Sequence, residues 1–242
     1  MHPSYVFVSD VHIAPGNAKR LDFFISFLNS IKGKAAHLCI LGDLFDYWVG
    51  RGHENQPEYR SILAKLKEIS NSGTNIILLH GNRDFLLSPK AASLSGARIP
   101  GSQLRLQIGR QTVHVCHGDK LCESDRGHVI LQKFLRCRLF GMAFVALPLS
   151  IRERLARKLR SISKRCTARK SEATTDISVS AVQRIFRKGV DTVICGHIHR
   201  DGQRSIPCGQ SSRILYHLGD FSESGSYLLC EKGEFKLLHY SR

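Results

Sequence analysis

Five stretches of this 242-residue chain place acids, histidines or an asparagine at spacings that suit metal chemistry. They are Asp10-x-His12, Gly42-Asp43-x-x-Asp46, Gly81-Asn82-Arg83-Asp84, His117-Gly118-Asp119 and Gly196-His197-x-His199. Together they offer seven candidate ligands: Asp10, His12, Asp43, Asn82, His117, His197 and His199. Four imidazoles, two carboxylates and one amide oxygen suit Mn²⁺, Zn²⁺ or Fe²⁺ better than Mg²⁺. Seven donors are too many for one tetrahedral ion and suit two ions that share a carboxylate. A lone histidine at a strand end is commonly a structural hydrogen-bonder, and a lone Gly-Asp is turn chemistry. Five such motifs in succession, each after an apolar run, point to a dinuclear site instead.

The elements that must position these residues are legible around them. Short β-type runs at 5–8, 37–41, 75–79, 111–116 and 190–195 each lead into one motif. Between the first three, Leu21, Phe24, Ile25 and Leu28, then Ile62, Leu63, Leu66 and Ile69, repeat at helical spacing. Strand, helix and strand in alternation predict βαβ units around a buried sheet, and ligands gather at the carboxyl ends of such strands. Asp10-x-His12 and His197-x-His199 are expected on extended backbone, where alternate side chains share a face. Short β runs at 213–217, 226–229 and 235–240 predict antiparallel strands near the C-terminus.

These five motifs, in this order and over almost the whole chain, resemble those of the calcineurin-like metallophosphoesterases. The resemblance implies an α/β fold, a four-layer αββα sandwich, as one domain over 1–242. It assigns Asp10, His12, Asp43 and His199 to one metal and Asp43, Asn82, His117 and His197 to the other, with Asp43 bridging. Catalytic roles fall on Asp43, Asn82, Arg83 and His117, and two divalent ions, with Mn²⁺ expected, activate water for in-line attack on phosphorus. Most of that superfamily has a histidine after the asparagine of the third motif, where this chain has Arg83. Arg83-Asp84-Phe85, His117-Gly118-Asp119-x-Leu121-Cys122, Trp48 and Leu147-Pro148-Leu149 ahead of a basic insert are similar to the UDP-2,3-diacylglucosamine hydrolases of lipid A synthesis. That family cleaves its substrate's pyrophosphate into UMP and 2,3-diacylglucosamine 1-phosphate. An arginine, always charged and able to grip phosphate bidentately, suits a diphosphate better than a proton-donating histidine.

Spacing locates the insert. Asp10, Asp43, Asn82 and His117 follow one another at 33, 39 and 35 residues, but His197 lies 80 residues beyond His117. The chain carries a net charge of +16, and residues 133–170 hold twelve Lys or Arg against one acid, Glu153. Leu147, Ile151, Leu155, Leu159 and Ile162 form a helical stripe there, with the basic residues expected on the other faces. The reading is a helical cap over 123–175 whose apolar side chains, Phe140, Met142, Phe144 and Val145 among them, wall acyl chains while its basic face meets phosphates or anionic headgroups. By the resemblance, substrate contacts fall on Asn82, Arg83, Asp125, Ser163, Thr167, Lys170 and His197. Thr167 stands where better-known members have asparagine, and His128 where an aromatic residue is expected.

The partners expected are therefore an acylated UDP-sugar lipid and an anionic membrane surface. A phosphodiesterase or phosphatase for soluble nucleotides or nucleic acid is the alternative, since a basic surface also attracts phosphate backbones. Leu and Ile interleave the basic helix, and no Tyr or Trp accompanies them for base stacking, which favours the lipid. A non-catalytic scaffold would not need seven intact ligands. Eight cysteines without a C-x-x-C pair, and no apolar run near the 20 residues of a membrane helix, suggest a reduced, cytoplasmic protein, which the resemblance implies works on the cytoplasmic face of the inner membrane.

Overall fold

The computed structural model describes residues 4–123, 137–167, 176–222 and 225–241, with the side chains of 138–140 and 164–167 outside that description. β1 (Tyr5–Val8), α1 (Ala18–Ile31), β2 (His37–Ile40), α2 (Pro57–Asn71) and β3 (Asn75–Leu78) form two successive βαβ units, with the three strands parallel. Asn17 caps α1 by accepting from the Arg20 amide, and Pro57 starts α2 where its missing N–H costs nothing. Val6, Val8, Leu38, Ile40 and Leu78 pack against Phe24, Phe27, Ile62 and Leu66 of the helices. Phe7, Cys39, Ile77 and Leu79 point the other way, into a core shared with Val113, Val115 and Ile194. Burial on both faces explains why these strands read as continuous apolar runs rather than alternating ones.

That second core belongs to a second sheet, β4 (Gln103–Ile108), β5 (Gln111–Cys116), β6 (Thr192–Cys195), β8 (Ser211–His217) and β7 (Gly202–Cys208), in that spatial order. β9 (Gly225–Glu231) and β10 (Glu234–Tyr240) return to extend the first sheet as an antiparallel hairpin beside β1. α3 (Pro89–Ser95) packs on α2. α6 (Val179–Phe186) covers the outer face of the second sheet through Ala181, Val182 and Phe186. Helices, sheet, sheet and helix make the four layers expected.

The C-terminal expectation needs one correction. β9 and β10 are antiparallel, but β8 lies in the other sheet, parallel to β6 and antiparallel to β7. β7 completes that sheet from its edge, where a strand containing Pro207 is tolerated.

Between β5 and β6 the described part of the insert is helical: α4 (Arg138–Ala146) and α5 (Leu149–Thr167). The stripe Leu147, Ile151, Leu155, Leu159 and Ile162 lies on the surface, each side chain between 38% and 46% exposed. The basic faces do not all meet solvent as predicted. Arg152 is buried, donating to the carbonyls of Leu147, Val49 and Arg51, because those loop carbonyls have no partner within regular structure. No disulfide joins the described cysteines, and no described helix is long and apolar enough to cross a membrane.

Candidate metal centre

The loops beyond β1 and β2 are zipped by backbone bonds, the Asp10 amide to the Gly42 carbonyl at 3.2 Å and the His12 amide to Asp43 at 2.9 Å. The loops beyond β5 and β6 are joined by the Gly196 amide and the His117 carbonyl at 2.8 Å. Such approaches need glycine. A Cβ on Gly81 would lie 2.1 Å from Asp43 Oδ1, and one on Gly196 would lie 2.0 Å from Ser9 Oγ. Asp10, His12, Asp43, His197 and His199 all have positive φ, between 53° and 73°. The expectation of extended backbone under the two D-x-H and H-x-H pairs is therefore corrected. The strands end before these residues, and left-handed backbone turns the side chains inward, a costly conformation characteristic of functional sites.

Seven predicted side chains converge. Asp10, His12 and His199 form one donor group: His12 Nε2 lies 3.3 Å from His199 Nε2, and Asp10 Oδ1 lies 3.6 and 3.4 Å from those two nitrogens. Asp10, Asp43 and His117 form a second, with Asp43 Oδ2 at 3.7 Å from His117 Nε2 and 3.9 Å from His12 Nδ1. Asn82 joins the second group, its Oδ1 at 2.8 Å from His117 Nε2 and 3.1 Å from His197 Nδ1. Asp10 is thus common to both groups, while Asp43 lies between His117 and His12.

Two observations test whether these residues fit divalent ions. Asp10 Oδ1 is fully buried and accepts no hydrogen bond among the described residues, although Oδ2 accepts from Ser9 Oγ and the His197 amide. A buried carboxylate oxygen without a donor is costly unless a cation faces it. His117 Nδ1 donates to the Leu41 carbonyl at 3.1 Å, so a neutral His117 turns its Nε2 lone pair toward the Asn82 oxygen. Two acceptors at that distance need a proton or a metal ion between them. Charge states agree with metal ligation at the first group. Burial alone would raise Asp10, but His117, His199 and His12 outweigh it and hold the carboxyl well below its usual range. Burial and the Arg83 guanidinium keep His12 neutral, as a ligand must be. At the second, burial raises Asp43 against His117 and Arg83, while Asp43 and Asp10 raise His117 against its own burial. The donor set fits.

Asp84 organises the floor. Its two oxygens accept from the amides of Gly81, Asp43, Leu44 and Phe45, tying the third motif to the second. Burial and the Asp43 charge push its pKa up to about 7, against the pull of those amides. Arg83 lies above the floor, its Nη1 donating to His12 Nδ1 at 2.9 Å and to Asp46 Oδ1 at 3.0 Å, its Nε 3.3 Å from Asp43 Oδ2. Asp46 also receives Arg160 of α5. Its two arginine partners were not foreseen, and the excess of basic residues in the insert was the only signal for one of them. Trp48 is buried against Phe45 and Tyr59. Ser163 is exposed on α5, Asp125, His128 and Lys170 lie outside the described residues, and only the backbone of Thr167 is described.

The pattern of the calcineurin-like phosphoesterase family matches residues 3–201. A UDP-2,3-diacylglucosamine hydrolase of Pseudomonas entomophila (strain L48) is 36% identical over 95% of this chain and 96% of its own. One from Photorhabdus laumondii is 35% identical over 91% of this chain and 92% of its own, and one from Escherichia coli O139:H28 is 33% identical over 97% and 98%. With both donor groups in place at the strand ends and similarity running nearly end to end, this chain belongs to the calcineurin-like phosphoesterase family and, within it, to the group of the UDP-2,3-diacylglucosamine hydrolases.

Proposed function

We propose that the protein hydrolyses the pyrophosphate bond of UDP-2,3-diacylglucosamine, giving UMP and 2,3-diacylglucosamine 1-phosphate, in lipid A synthesis. The observation that carries this reading is the convergence of two acid–imidazole groups beside the Arg83 guanidinium. Two divalent ions, Mn²⁺ by the mixed N/O donor set, are held by Asp10, His12, Asp43, Asn82, His117, His197 and His199. When bound, they supply an activated water and draw charge from the phosphate oxygens.

The chain's own residues do the rest. Arg83 Nη2 has no acceptor among the described residues and is the donor left for a diphosphate oxygen. The Asp84 carboxylate accepts from the Gly81 and Asp43 amides and so holds Asn82 and Asp43 in register across the two loops. In this reading the insert, of which α4 and α5 are described, serves as a cap for the substrate. Support comes from α5, whose exposed apolar stripe suits acyl chains and whose exposed Arg154 and Lys158 suit an anionic inner-membrane surface. Ser163, Thr167, Lys170 and Asp125 complete the substrate contacts.

Incubation of the purified protein with UDP-2,3-diacylglucosamine, followed by phosphorus NMR, tests this. UMP and the sugar 1-phosphate should appear, cease with a chelator and return best with Mn²⁺. Inertness toward this lipid, with rapid hydrolysis of soluble nucleotides or RNA, would replace the reading by the alternative one.

A further inference from the structure

Asp46 holds two arginines from distant parts of the chain on a single oxygen. Its Oδ1 accepts from Arg83 Nη1 at 3.0 Å, from Arg160 Nε at 3.0 Å and lies 2.9 Å from Arg160 Nη2. Arg83 belongs to the metal cleft, and Arg160 belongs to α5 of the insert. The carboxylate between them is not loose. The Asp46 amide donates to the Ile13 carbonyl at 2.8 Å, and two residues on, the Trp48 amide donates to the Arg83 carbonyl at 2.9 Å.

The loop that carries Asp46 touches both regions along its length. At its start Asp43 Oδ1 accepts the Arg83 amide at 2.9 Å. Further along, Arg152 of α5 donates to the Val49 and Arg51 carbonyls, and Gln56 donates to Glu153 at 2.7 Å. Two guanidinium groups this close repel each other unless an anion sits between them, so removing the carboxylate would separate them. Arg83 would keep its bond to Asp43 and His12 but lose the one that fixes its plane. Positioning of a charged donor within a fraction of an ångström is what a reacting site depends on.

We propose that Asp46 is a positioning residue that couples the insert to the reaction centre: with Arg160 seated, it sets the orientation of Arg83, so the state of α5 is read at the scissile phosphate. The proposal rests on Arg83 as the phosphate donor of the preceding section. Asp46 itself touches no substrate. Arg160 acts through it.

The test uses the intact, metal-loaded protein with two substrates, the diacylated UDP-sugar and bis(p-nitrophenyl) phosphate, a small diester that does not extend to α5. Asp46→Asn should lower kcat on both by roughly ten- to hundredfold, the scale of a misplaced reacting group. Arg160→Gln should slow the small diester as well as the lipid, and the double variant should be no slower than Asp46→Asn alone. Asp46→Glu, which restores the charge, should recover much of the rate, and bound metal should match wild type throughout. Arg160→Gln slowing only the lipid, additive losses in the double variant, or Asp46→Glu as slow as Asp46→Asn would each overturn the coupling. Should Asp46→Asn not fold, Arg160→Gln and Asp46→Glu on the small diester still decide it. If wild type cleaves the small diester but not the UDP-sugar, the substrate assignment fails while the coupling is still judged on the diester.

Discussion

At the scale of single residues, the site is a balance of buried charges that only a cation completes. Asp43 faces His117, His12 and Arg83. Asp43→Ala should therefore reduce bound metal as well as turnover, the latter by several orders of magnitude, with the fold retained; elemental analysis beside circular dichroism reads this. Wild-type metal content with near-normal turnover would count against Asp43 as a ligand. Arg83 should show effects of opposite sign. Arg83→Ala should cost about 2–4 kcal/mol of transition-state stabilisation, the loss typical of one donor in a reacting site. It should also tighten metal binding, measured by titration calorimetry. Its Nη1 donates to His12 Nδ1, which favours the ring tautomer whose Nε2 is protonated and turned toward His199. Removing the donor lets Nδ1 carry the proton and frees the Nε2 lone pair for an ion.

At the scale of elements, the segment after β2 does double duty. It begins as a ligand loop and ends as the seat of the insert. Arg152 is the main fastener, a buried guanidinium whose donors meet carbonyls at Leu147, Val49 and Arg51. Gly50 and Gly52, both at positive φ, allow α4 and α5 to approach: a Cβ on either would come within 3.3 Å of Val145 or Leu149. Arg152→Met should leave the two loop carbonyls without a donor and cost about 2–4 kcal/mol. Thermal denaturation should show the loss, and amide exchange should rise between residues 47 and 56 while the amides of β1 to β3 stay protected. Uniform exchange across the chain would mean the insert is not a separable layer.

At the scale of the whole molecule, the fold buries groups that acid must disturb. His53, in the aromatic cluster of Tyr47, Trp48 and Tyr59, and His114, in the second sheet, are both buried. Burial, with Arg152 beside His53 and Arg105 and Lys188 near His114, pushes each down to about 4. The unfolded rings titrate near 6.5, so between that pH and 4 the unfolded chain binds protons that the folded one refuses. Stability is fully present above 6.5 and falls as pH drops through this window, by up to roughly 3 kcal/mol for each histidine. Urea melts between pH 7 and 4.5 should show the decline, and His114→Gln should flatten it. An unchanged slope in that variant would remove His114 from the account.

What the chain determined by itself is the chemistry and its order: which residues are donors, that each follows a strand, and that a basic helical insert separates the fourth motif from the fifth. Those features are local. They follow from apolar runs, helical spacing and glycines at close approaches such as Gly81 and Gly196, and they hold for any environment that buries both faces of the strands. Tertiary structure decided what depends on meeting. The left-handed backbone of Asp10, His12 and Asp43 is unfavourable in isolation and persists only because neighbouring loops bond to it. β8 looks like a member of a C-terminal meander until its neighbour β6 is known. Arg152 and Arg160 read as two more charges on a solvated helix, yet one is buried beneath it and the other reaches Asp46, 114 residues away in sequence. Charge on a helix is visible in composition; which charge finds a partner is decided only when the loop after β2 comes to lie beneath that helix.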